Sequence, residues 1–117
     1  MTTNELMIKV KNELEARGFE VNSPDGYTHQ AHATKDGKSE WRPVEGYTFE
    51  RLYGYQITLN VVHRHNGTTE NQSVDVRVMK WIASSGGPVA TERVNTKMSD
   101  RSIANRVNKI AEIFETL

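Results

Sequence analysis

Asn66-Gly67, set between two β-rich runs, constrains this chain more than any other feature. Both residues tolerate the positive φ that a type I′ turn needs, so the pair predicts a hairpin from Leu52 to Ala83. A two-residue loop there places Leu59 opposite Val74, Ile57 opposite Val76 and Tyr55 opposite Val78. Thr58 then meets Asp75 and Gln56 meets Arg77, so apolar pairs with apolar and polar with polar. One face, with Tyr55, Ile57, Leu59, Val61, Val74, Val76 and Val78, is expected to be core. The other, with Gln56, Thr58, Asn60, Arg64, Asp75 and Arg77, is expected to be wet. Leu52, Met79 and Trp81 break the wet face at the end away from the turn, and something must cover them.

The flanking segments supply helices. Thr2 and Glu5 have capping-box spacing before a helix from about Asn4 to Arg17, with Gly18 at its stop. Leu6, Met7, Val10 and Leu14 share one face of it. Ser99 is a natural N-cap, and Ile103, Val107, Ile110, Phe114 and Leu117 recur at helical steps to the C-terminus. Between the first helix and the hairpin, Phe19 to Asn22 reads as a strand. Pro24-Asp25-Gly26 and Lys35-Asp36-Gly37 read as three-residue loops, placing Val21 opposite His29 and Trp41 opposite Ala31. Pro43 to Phe49 reads as a loop or irregular edge, Ser84 to Pro88 as a flexible connector, and Val89 to Val94 as an edge strand or loop. The whole, 1–117, is expected to form a single α+β domain. Its architecture is an antiparallel meander of four to five strands with an N-terminal and a C-terminal helix on one face, in the order α-β-β-β-β-α.

Composition narrows the function classes. At 117 residues the chain is long enough to bury a real core. Lys and Arg together number 15, as do Asp and Glu, so no global electrostatic pull toward nucleic acid exists. With no cysteine there is neither a disulfide nor a thiolate ligand, and a cytoplasmic setting is the expectation. No cationic leader precedes an apolar run, and no stretch is apolar enough for a bilayer.

Chemistry-bearing motifs are sparse. G-x-S-x-G, Walker-type loops and H-E-x-x-H are absent, and no cofactor is implied. His63 and His65 share a strand face, with Glu70 expected across from His63, but two rings do not complete a zinc or iron set. His29 and His32 fall on opposite faces of a strand. A metal-dependent enzyme is therefore the third reading, and the balance leans away from catalysis.

Two binding readings rank above it. The stretch Trp41, Tyr47, Phe49, Tyr53, Tyr55 holds five of the nine aromatic residues (two Trp, four Tyr, three Phe), interleaved with Arg42, Glu45, Glu50 and Arg51. Trp, Tyr and Arg dominate protein-binding hot spots. The first reading is thus a non-enzymatic recognition or accessory module for a protein partner, with Tyr47, Phe49, Arg51, Met79 and Trp81 as contacts. Inhibitors of the kind phages and mobile elements encode are an analogy for it. The alternative is nucleic-acid binding through Arg93, Lys97, Arg101 and Arg106 around the start of the last helix. The helix–sheet–helix order resembles that of double-stranded RNA-binding domains, although the basic cluster opening that family's final helix has no convincing counterpart here.

Overall fold

A computed structural model describes residues 1–23, 29–62 and 72–117. The chain opens with helix α1 (Thr3–Ala16). Strands β1 (Glu20–Asn22), β2 (Gln30–Thr34), β3 (Ser39–Pro43), β4 (Glu50–Val62), β5 (Ser73–Ile82) and β6 (Ser85–Asn95) follow, and helix α2 (Asp100–Glu115) closes it. The α+β class is as expected, with six strands among the described residues.

Both helices start on satisfied caps. Thr2 Oγ1 accepts from Glu5 N at 3.1 Å while the Glu5 carboxylate accepts from Thr2 N, closing the capping box. Ser99 Oγ accepts from Ser102 N at 3.2 Å. Leu6, Met7, Val10 and Leu14 of α1 and Ile103, Val107, Ile110, Ala111 and Phe114 of α2 are all buried against one face of the sheet. Phe19 and Phe114 meet at 5.1 Å between ring centroids. Truncating Phe114 to alanine would cost about 3–5 kcal/mol by lost burial and the cavity left behind.

The β4–β5 register differs from that expected. Leu59 pairs with Val76 and Ile57 with Val78. The shift relative to a two-residue Asn66-Gly67 loop is two residues, an even number, so every side chain keeps its expected face. The turn itself lies outside the described residues, as do His63, His65, Glu70, Arg64 and Tyr27. The β1–β2 register shifts likewise by an even step, pairing Val21 with Ala33, and both stay in the core.

The order of strands is not a simple meander. The sheet runs β1-β2-β4-β5-β6, and β3 pairs with β4 rather than with β2. Ala33 pairs with Ile57 and Ser39 with Gly54, so β2 and β3 lie in line along β4 with Lys35–Lys38 looped out between them. Trp41 therefore sits opposite Leu52, not Ala31. The physical reason is the length of β4, whose 13 residues offer enough ladder for both.

Ser84 to Pro88 is not a connector. Ile82 pairs with Ser85, and Ala83 and Ser84 have φ of 53° and 64°, the positive values a two-residue type I′ loop requires at both positions. Neither residue is glycine, and the conformation is held from outside. Ser84 N donates to Leu52 O at 2.8 Å, and Ser84 Oγ accepts from Leu52 N at 2.8 Å.

Thirteen extended residues reach ~43 Å, close to the 49 Å long dimension of the molecule. The helices cover only one end of that length. The core includes Ile57, Leu59, Val74, Val76 and Val78, but no residue of 39–54 or 79–89. The β3–β4 and β5–β6 hairpins thus extend beyond the helical layer as a platform bare of helix.

Candidate binding surface

Two glycines shape the platform. Trp81 pairs with Gly54 on one side and Gly86 on the other. A Cβ on Gly86 would stand 2.4 Å from Trp81 Cε3, so the indole lies flat across that strand, covering backbone that no side chain covers. Gly54 has φ of +106°, and a Cβ there would meet Lys38 O at 2.3 Å. That closeness is what lets β3 dock, with Lys38 O accepting from Tyr55 N at 2.8 Å.

The docked β3 carries Trp41 to the helix-free face, beside Leu52 and Trp81. These three, with Asn22, His32, Thr34, Gln56 and Ser84, line a concavity of about 470 Å³, within the range of small-molecule and side-chain pockets. Leu52 is buried in it, whereas Trp41 remains 59% exposed. His32 Nδ1 and Trp81 Nε1 are both buried without a hydrogen-bond partner among the described residues. Such orphans cost about 1–3 kcal/mol each, and here both fall in the wall of one concavity.

By strand alternation Glu40, Arg42, Arg51 and Tyr53 point to the opposite face. Arg42 Nε donates to Glu40 at 2.6 Å, and its guanidinium lies 4.3 Å from the Tyr53 ring centre. At the tip, Val44 N donates to Phe49 O at 3.2 Å, closing the β3–β4 loop. The Tyr47 and Phe49 rings meet tilted, 5.1 Å between centroids, with Arg51 5.6 Å from the Phe49 ring; Tyr47 is 68% and Phe49 45% exposed. The loop does not fold over the Trp81 patch. Its two rings form a separate apolar tip, and Ile82 and Val89 add exposed apolar surface at the β5–β6 end.

Of the five residues expected as contacts, Tyr47, Phe49 and Arg51 come together at the tip. Trp81 joins the concavity, and Met79 lies next to it, half-buried opposite Gln56. Trp41, His32, Gln56 and Ser84 were missing from that expectation. Trp41 lies two strands from Trp81, a proximity the sequence hides because the Lys35-Asp36-Gly37 turn reads as bringing Trp41 beside Ala31.

The four cations of the alternative reading do not share one surface. Arg93 lies on the helix-free face against Asp75, with Nε donating to Oδ1 at 2.7 Å, and that hydrogen bond, with the carboxylate's charge, holds the guanidinium pKa above its ordinary value. Arg106, on α2, sits 3.7 Å from Glu92, which Lys109 also meets at 3.0 Å. Arg101 is exposed, and Lys97 borders a separate hollow with Thr2, Thr3, Asn4, Gln72 and Thr96. Among the described residues no three His, Asp or Glu side chains converge as a metal site. No helix among them is long and apolar enough to cross a membrane. Compared with protein-family models, curated proteins and solved structures, the chain matches none.

Proposed function

We propose that this is a recognition module whose helix-free platform binds a protein partner. The observation that carries the reading is the joint placement of a tryptophan-lined concavity and an exposed aromatic tip on the part of the sheet that no helix covers. Isolated exposed apolar residues are ordinary, but two apolar groups at one end of the molecule, with Arg51 laid against the Phe49 ring of the tip, have the composition of an interface centre. An accessory or inhibitory role is the setting this reading suits.

The test is affinity capture from native cells with the wild-type protein and with Trp41→Ala and the double variant Tyr47→Ala/Phe49→Ala. All three side chains are exposed, so both variants are expected to fold within about 0.5 kcal/mol of wild type. Loss of one specific protein from both variants, with circular dichroism unchanged, supports the proposal. Retention of every captured protein by both variants, or capture abolished by nuclease, overturns it.

A further inference from the structure

Along β5, Asp75, Arg77, Met79 and Trp81 alternate onto the helix-free face. Asp75 is 2% exposed and accepts from two arginines. Arg77 Nη2 donates to Oδ2 at 2.9 Å, while Arg93 Nε and Nη2 reach Oδ1 and Oδ2 at 2.7 and 3.1 Å. The carboxylate is thus shut away beneath the two guanidiniums, whose side chains stay 38% and 56% exposed. What solvent meets is a pair of positive, planar donors with their orientations already fixed. Holding donors in place before a ligand arrives lowers the ordering cost of binding.

We infer that the Arg77–Asp75–Arg93 cluster recognises an acidic side chain on an extended segment of the protein partner, an apolar neighbour of which enters the Trp41–Leu52–Trp81 concavity. This rests on the platform reading and adds the partner's chemistry. Trp81 lies four positions beyond Arg77 along β5, so an extended partner crosses ~13 Å between the two contacts. That distance corresponds to an acidic and an apolar residue at positions i and i+4 of the partner segment. A carboxylate fits better than a nucleic-acid backbone. The cluster has a local charge of one unit, the chain is neutral overall, and duplex binding needs many phosphate-neutralising cations.

Nuclear magnetic resonance titration of the intact protein tests this with two capped peptides, phenylalanine and glutamate four positions apart with serines between, and the same peptide with glutamine for glutamate. The glutamate peptide is expected to shift the Trp81 indole N–H and the Arg77 and Arg93 Nε–H signals, and to bind about threefold tighter than the glutamine peptide at low salt, the gain of one exposed charge-assisted contact. R93Q should reduce that preference while leaving the Trp81 shift. Equal binding of the two peptides with the Trp81 shift retained overturns the inference but not the platform reading. Absence of a Trp81 shift with either peptide overturns both for such a segment. Inorganic phosphate moving the arginine signals as effectively as the glutamate peptide overturns the polypeptide assignment in favour of a general anion site.

Discussion

Gly54→Ala is the most informative single substitution in the platform. Residue 54 has φ of +106°, a backbone region that L side chains rarely adopt, and holding alanine there costs about 1–3 kcal/mol. The added methyl would also stand 2.3 Å from Lys38 O and 2.8 Å from Ser39 Cα, both backbone atoms that cannot swing aside as a side-chain end would. Moving that carbonyl breaks the 2.8 Å bond from Tyr55 N, worth about 1 kcal/mol. The sum is about 2–4 kcal/mol, or a melting temperature lower by roughly 10 °C for a chain of this size. Because β3 pairs with β4 alone and supplies no core residue, the strain has a second outlet, release of β3 while the helical end stays folded. Urea unfolding read by circular dichroism measures the first, and amide exchange at Tyr55 measures the second. A stability change below about 0.5 kcal/mol, with amide protection at Tyr55 unchanged, would refute the account of how β3 docks.

Other substitutions probe the remaining contacts. Asp75→Asn removes the charge that pairs Arg77 and Arg93 from a nearly buried position and should destabilise by about 1–3 kcal/mol in urea. Ala83→Asn places a residue that tolerates positive φ in the β5–β6 turn, and should raise stability by about 0.5–1 kcal/mol in thermal melts. Glu115 accepts from Arg17 at 3.0 Å and Lys35 at 3.0 Å, and the Arg17 hydrogen bond foremost holds its pKa below the ordinary value. A carboxylate depressed on folding stabilises above its unfolded pKa of about 4.3 and loses that contribution as pH falls through the lower folded value. Urea midpoints should therefore fall more steeply below pH 4.3 for wild type than for Glu115→Gln, whose midpoint at neutral pH should already be lower.

Faces were legible in the sequence where pairings were not. Alternation assigned Ile57, Leu59, Val74, Val76 and Val78 to the core whichever even register the strands adopt, because a two-residue shift preserves parity. Asn66-Gly67 announced a reversal but could not set the ladder alone. Lys35-Asp36-Gly37 also announced a turn, yet a turn signal does not say which strand the chain meets next. The length of β4 decided that, by taking β2 and β3 end to end along one edge. The Ala83-Ser84 turn carries no glycine or asparagine, and its support comes from Leu52, 32 residues away. Gly86-Gly87-Pro88 resembled a connector because glycine marks flexibility as readily as it marks room for an indole. Leu52, Met79 and Trp81 were recognisable as a patch from their parity. The concavity was not, because Trp41 reaches it only through the β3–β4 pairing.

The central claim is that the platform beyond the helices is the surface a protein partner touches. Site-specific photocrosslinking in native cells tests it most directly, with a photoreactive phenylalanine at Tyr47 or Trp41 on the platform, and at Ile8 on α1, which is also exposed. The account predicts the same protein adduct from Tyr47 and Trp41 and none from Ile8. An adduct formed from Ile8 and from neither platform position would contradict it.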